Sequence, residues 1–430
     1  MPSLDSTTFS ILDTKVIFRV HELSPPLIIG KGVISKITEA TCQVTITDGH
    51  AVVQGYGTVL LSHVWCWPET ASGEKDILLR EATSTIAKAA IEITTANNVL
   101  GHGFDLIRLA DNLLGSLPPL ARRVCCAPLD NAIHDAAGLL KNQPSFSLFR
   151  SHGPCPFDSY FPGFGASGAI ESMLRAPIAN IDAQMVVGLR TSHTDVNDYC
   201  RRFTIRRLKV KIGSGGVQTD VDHVIGVCRA VPQDGRVADI TVDANGCYPA
   251  PSSLEEFLTL LRRQAPDVAV CLSAVEQPSM TPLLEDHRRW SAIAADVPIL
   301  TDESFCDLDD LKHAHACGWN GLAVKSCRGQ TLALLGAAWG HARGWTNTVM
   351  DLTSPNIAAL HTVLLASHIS GVSTAEVNTV QFLTSGYSDL PESMKNSIVP
   401  DKGQLSVPPV TAGLVPQAYR PVLNQFFEGA

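Results

Sequence analysis

The chain has 430 residues, 45% of them apolar and 17% charged, with a formal charge of −9. That length leads one to expect two or three domains with ample core, and the acidic balance with no basic run argues against a nucleic-acid partner. The first residues, MPSLDSTTFS, carry no basic stretch followed by an apolar one, and no apolar run reaches the ~20 residues needed to span a bilayer. A cytoplasmic protein with no membrane partner is the expectation. The 12 cysteines include no CxxC pair, so buried free thiols are expected rather than a disulfide framework or a zinc site.

In chain order, ILDTKVIFRV, ATCQVTITDGH and AVVQGYGTVLL read as strands between residues 11 and 61. Asp48-Gly49 marks a hairpin between the last two, and a loop with Pro25, Pro26, Gly30 and Gly32 separates the first two. A helix is predicted over Glu74–Ala96, with Ile77, Leu78, Ala82, Ile86, Ala89 and Ala90 on its apolar face. Two more follow, near Phe104–Leu114 and Pro118–Leu140. Strands followed by helices make an α+β domain over residues 1–150. The run 150–180 is rich in Gly, Pro and Ser and reads as a linker.

Alternation of strand and helix then begins and continues to residue 382. The strand runs are IDAQMVVGL, RRLKVKIG, ADITVDANG, LSAVEQP, PILTDES, GLAVKSC, TNTVMDLT and TAEVNTVQF. Helices are predicted near Asp195–Phe203, Thr219–Ala230, Ser253–Gln264, Leu308–Ala316 and Pro355–Ser367. Beyond about 383 the tail is expected to pack back on the first domain and complete it.

Within RRLKVKIG, Lys209 and Lys211 point to one face, about 7 Å apart at Cα. Two such ammonium groups on an apolar strand suit either an exposed edge, where lysine discourages aggregation, or a site with anionic partners. The later strands favour the site. Lys211, Asp243, Glu276, Asp302 and Lys325 are separated in turn by 32, 33, 26 and 23 residues, about one crossover unit of a parallel barrel each. Charged groups at the C-terminal ends of parallel strands meet at one mouth. Each carboxylate singly could be a helix cap, and Lys325 could simply pair with Asp302 or Glu303. Asn245 shares the Asp243 face by the period of two, whereas Glu303 is expected on the face opposite Asp302.

The motifs KVK, VDAN, VEQP, TDES and AVK, in this order, resemble the enolase superfamily, and within it the mandelate racemase/muconate-lactonizing branch. LDNAIHDAAGLLKNQPSF is similar to the helix that closes the family's capping domain. A lysine on strand six, and no histidine in the loop that follows MDLTSP (His361 lies further on, inside a predicted helix), points to the muconate-lactonizing-type subgroup. The fold implied is an α/β, modified TIM-type (β/α)7β barrel over 151–382 with an N-terminal α+β capping domain. The resemblance implies Mg²⁺ on Asp243, Glu276 and Asp302, with Lys211 and Lys325 as acid/base groups on opposite sides of a small carboxylate substrate. It implies that Lys209 lowers the pKa of Lys211 and stabilises an enolate. Asn245, Glu376 and Asn378 are candidate substrate contacts, the last two standing where dipeptide epimerases carry Asp-x-Asp. The segments near Ser24–Gly32 and Gly55–Ser62 would close over the barrel; Lys31 is their sole charge, so an apolar or small distal group is expected. Racemisation or epimerisation is the leading reading, cycloisomerisation or syn-elimination the runner-up, and a non-catalytic scaffold a third. A homo-oligomer is expected. The run His63–Pro68, HVWCWP, matches no pattern.

Overall fold

The computed structural model describes residues 8–29, 32–67, 74–93, 98–149, 158, 161, 163–213, 215–232, 237–383 and 385–429. The N-terminal reading, Lys31, Pro68 and much of the linker at 150–162 lie outside the described residues.

Three antiparallel strands, β1 (Ser10–Ile29), β2 (Gly32–Thr47) and β3 (Val52–Leu61), form one sheet in the order β1-β2-β3. Pro25 and Pro26 lie within β1, not in a loop. A register shift between Glu22 and Leu27 takes them out of the ladder, which proline cannot donate to. After β3 come the single turn α1 (His63–Cys66), then α2 (Glu74–Ala89), α3 (Val99–Leu113) and α4 (Pro119–Leu140). The buried face of α2 is Leu79, Ala82, Thr83, Ile86 and Ala87, while Ile77 and Leu78 are exposed. Ala82, Ile86 and Ala90 of the expected face are buried, but at the start of the helix Leu79 takes the place expected of Ile77 and Leu78.

Helix α4 is buried along almost its whole length, between the sheet and the barrel. Its close approach to β3 explains two glycines. A Cβ on Gly55 would stand 2.3 Å from the Ala132 carbonyl oxygen, and one on Gly57 2.2 Å from that of Pro128. The linker region holds a helix that sequence reading did not place, α5 (Ala166–Met173).

Eight parallel strands then close into a barrel: β4 (Asn180–Val187), β5 (Arg207–Lys211), β6 (Asp239–Asp243), β7 (Leu272–Glu276), β8 (Ile299–Thr301), β9 (Gly321–Val324), β10 (Thr346–Val349) and β11 (Thr374–Glu376). β11 pairs with β4 and completes the ring. The crossovers carry α6 (His193–Phe203), α7 (Val217–Ala230), α8 (Pro251–Gln264), α9 (Pro266–Ala269), α10 (His287–Asp296), α11 (Leu308–Ala316), α12 (Gln330–His341) and α13 (Asn356–His368), with α14 (Thr379–Phe382) after the last strand. Helices α10 and α12 were not expected. α12 is apolar on every side and buried throughout, so it has no amphipathic period to read.

The tail joins both parts. β12 (Gln404–Ser406) pairs antiparallel with the start of β4, the stretch that β5 does not reach. Farther on, Leu414 and Val415 donate backbone N–H bonds to Asp135 of α4. The last helix, α15 (Arg420–Glu428), sets Asn424 against the Tyr56 hydroxyl of β3 at 2.5 Å.

Candidate active site at the barrel mouth

Alternation along the strands builds the site. Leu208 and Val210 of β5, and Ile240 and Val242 of β6, face outward into the main core. That turns Lys209, Lys211 and Asp243 inward. Below them, Ala274, Leu300, Ala323 and Met350 form a small apolar cluster. Three of these side chains are small or medium-sized, which leaves room for the long stem of Lys209. Its Nζ lies 3.1 Å from the Met350 sulfur.

Asp243 and Glu276 are paired residues at the ends of β6 and β7, and Asp302 directly follows β8. All three are fully buried. Lys209 Nζ sits 2.7 Å from Glu276 Oε2, 2.9 Å from Glu376 Oε2 and 3.2 Å from Asp243 Oδ2. Lys211 hydrogen-bonds Asp243 Oδ2. Lys325, just past β9, donates to Asp302 Oδ2 at 2.7 Å and lies 3.7 Å from Glu276 Oε1. The expected lysines and carboxylates therefore converge. Lys325 does pair with Asp302, and it does so inside the mouth.

Two expectations about side chains change. Glu303 does not point away from the site. β8 ends at Thr301, and the turn that follows brings Glu303 to accept from Asn245 Nδ2 at 2.8 Å. Asn245 likewise has left its strand, with φ of 45°. Its backbone N–H donates to Asp243 Oδ1 at 2.9 Å. Strand alternation cannot be extrapolated past the last ladder bond. Asn378 donates to Glu376 at 3.0 Å, so these two hold each other.

Carboxylates dominate the charge balance of the mouth. For Lys209 burial does act downward, but Glu276, Glu376 and Asp243 together push it well above its ordinary value. Lys325 is raised too, burial being outweighed by Asp302. Asp243 is held at about 2: burial opposes this, and Lys211 and Lys209 prevail. Asp302 lies below the usual carboxylate range against its own burial, through Lys325 and Arg328. Glu276 moves the other way, raised well above its usual value by burial and by Asp243.

Four residues that sequence reading missed complete the mouth. Arg328 donates to both the carboxylate and the backbone oxygen of Asp302, at 2.6 Å each. Trp65, from the unassigned run, places its ring 5.0 Å from Lys325 Nζ and 5.1 Å from the Arg328 guanidinium carbon. Asp351 and Thr353 follow β10. One cavity is lined by Lys209, Lys211, Lys325, Asn245, Glu376 and Asn378, with Asp351, Thr353 and Trp65. The cap adds Leu27, Ile29, Ile34 and Ser62 to the same wall.

The donor set suits a hard divalent cation: three buried carboxylates on three adjacent strands. Glu276 Oε2 is buried without a hydrogen bond, its 2.7 Å approach to Lys209 being an ion pair of poor hydrogen-bond angle. Among the described residues, no three of His, Cys, Asp or Glu stand in a ready coordinating arrangement. The ammonium groups and the Arg328 guanidinium occupy the same oxygens, so binding a cation and holding these cationic side chains are competing uses of one carboxylate set.

The family description "Enolase C-terminal domain-like" matches residues 193–414. No curated protein matches the sequence. Among solved structures, the chain is similar to a dipeptide epimerase from Enterococcus faecalis complexed with Mg and L-Leu-L-Tyr, at TM-score 0.67 and 17% identity over 94% of this chain and 99% of that one. It is similar to a 2-chloromuconate cycloisomerase from Rhodococcus opacus, at TM-score 0.66 and 15% identity over 97% and 99%. It is also similar to an enolase from Bradyrhizobium complexed with magnesium and mandelic acid, at TM-score 0.63 and 17% identity over 97% and 98%. The closed barrel, its antiparallel cap and the matched residues lead to one assignment: the chain belongs to the enolase superfamily, in its mandelate racemase/muconate-lactonizing branch.

Proposed function

We propose that the protein is a Mg²⁺-dependent isomerase that removes and returns the proton α to a carboxylate, acting as a racemase or epimerase. The observation that carries this reading is the placement of Lys211 and Lys325. They belong to the second and sixth of eight barrel strands, which lie across the ring from each other, and they line one cavity. A planar enolate between them could be protonated from either face.

Asp243, Glu276 and Asp302 would hold the cation, which supplies positive charge where the enolate's negative charge develops. Lys209, ringed by Glu276, Glu376 and Asp243, adds a fixed positive charge on the same side. Lys211 takes the proton from one stereoisomer, and Lys325 takes it from the other. Leu27, Ile29 and Ile34 from the cap exclude water from the reacting carbon and favour a small or apolar distal group. The names of the similar structures, which include Mg complexes and two kinds of isomerase, support the class.

One observation favours a second reading, cycloisomerisation or syn-elimination in the same site. On the eighth strand, Glu376 is engaged by Lys209 and Asn378, so no free carboxylate pair stands there to hold a substrate ammonium. Incubating D- and L-N-acylamino acids, dipeptides, acid sugars and muconate with the enzyme in D₂O tests both. Deuterium should enter the α position of both stereoisomers, EDTA should stop it, and Mg²⁺ should restore it. Full exchange in metal-free enzyme would overturn the metal dependence. Product formation with no exchange of either isomer would favour the second reading.

A further inference from the structure

Trp65 belongs to the cap, yet it is part of the barrel mouth. Its turn α1 follows directly on β3, so the β-sheet fixes where the ring stands. The ring faces two cations, Lys325 and Arg328, and these bind the two carboxylate oxygens of Asp302, Oδ2 and Oδ1 respectively. Trp65 lines the catalytic cavity. The residue also lines an outer groove with Cys66, Arg123, Glu303 and Cys306, so it forms the partition between the two.

The indole Nε1 is buried and makes no hydrogen bond. An orphaned buried donor is unfavourable, and phenylalanine or leucine would fill the wall without one. The indole N–H thus gives no reason of its own for a tryptophan here, a feature shared with Trp290, Trp319 and Trp345. The π face of Trp65 gives one, since indole is the strongest aromatic partner for a cation, and the attraction grows when both are desolvated. Lys325 and Arg328 are both almost fully buried.

We propose that Trp65 is a positioning residue for Lys325: the cap supplies the aromatic face that holds this ammonium on its side of the substrate. Docking of the cap thus completes one of the two proton-transfer arms. The other arm, Lys211, is held by Asp243 from within the barrel. The inference rests on the reading of Lys325 as a proton-transfer group.

The test compares wild type, Trp65→Leu and Trp65→Phe for α-proton exchange into D₂O, using separate L and D forms of N-acylamino acids and dipeptides with Mg²⁺. Trp65→Leu fills the space without a π face. It should lower kcat for exchange of the stereoisomer that Lys325→Ala abolishes, by about tenfold. The other stereoisomer should stay within about twofold, and KM for both should change little, because the effect lies on one base. Trp65→Phe should recover most of the loss. Equal slowing of both stereoisomers, or no slowing of either, overturns the inference and leaves the two-lysine reading standing. Absence of exchange in the wild type with every probe removes that reading and the inference with it.

Discussion

Two regions of this molecule bury many charged and polar side chains, and they handle them in opposite ways. On α4, Asp135 accepts backbone bonds from Tyr56, Leu414 and Val415 and is paired with Arg420. Asp130 accepts from both the N–H and the hydroxyl of Thr331, and Asn131 accepts from the N–H of Gln330. Nearly every lone pair has a dedicated donor from another element. At the barrel mouth the charges are pooled instead. Lys209 alone is shared among three carboxylates, and the carboxylate oxygen Glu276 Oε2 has no hydrogen bond. A joint needs each polar group satisfied once and permanently. A site whose groups must exchange partners during a reaction keeps them interchangeable, and that costs stability.

The largest effects should come from breaking the pooled region. Lys211→Ala and Lys325→Ala should each cut net racemisation by several orders of magnitude, as expected when an essential acid or base is deleted. Each should retain isotope exchange in one stereoisomer, measured by proton NMR in D₂O. Lys209→Ala should slow both directions alike. The melting temperature should hardly fall in any of the three, because the carboxylates left behind can be protonated or bind a cation. A large fall would show that the lysines serve the fold.

Breaking the joint should do the reverse. Asp135→Ala strands the Arg420 guanidinium and three buried N–H groups, and should cost about 3–5 kcal/mol in urea unfolding. The activity per folded molecule should survive at low temperature. If activity fell while stability held, the division between joint and site would be wrong.

The smallest effect sharpens the border between the regions. Asp351 lines the cavity yet is bonded like a joint residue, accepting from the backbone of Leu352 and Ser354 and the hydroxyl of Ser354. Burial nevertheless raises its pKa to about 6, against the lowering effect of the Ser354 bond. The folded state then holds this proton more tightly than the unfolded chain. Stability should decline as pH rises from about 4 to about 6 and level off above, by on the order of 1–3 kcal/mol. Asp351→Asn should remove that part of the decline. Identical pH–stability profiles for the two proteins would refute it.

What could be read in the sequence follows the same division. The mouth was legible because a charged residue closing an apolar run, repeated once per crossover, is a pattern within the chain. Lys211, Asp243, Glu276, Asp302 and Lys325 announce themselves this way. Glu303 was misplaced because the strand stops two residues earlier than the alternation suggests. Trp65 and Arg328 were missed because neither lies on a periodic face, and their places depend on the cap meeting the barrel. The helix α4 was found by its spacing. Its Asp130, Asn131 and Asp135 looked like ordinary polar residues, since their partners lie some 80 to 280 positions away. The prolines of β1 signalled a break that one register shift absorbs.

The last stretch of chain sets an order of events during synthesis. The first domain emerges from the ribosome early, with β3 and α4 already made. Yet Asp135 cannot be satisfied until Leu414, Val415 and Arg420 arrive, and the outer face of Tyr56 waits for Asn424. Those bonds therefore form only after the whole ring of strands has been translated, so the cap is fastened late, like a clasp made from a distant part of its own thread.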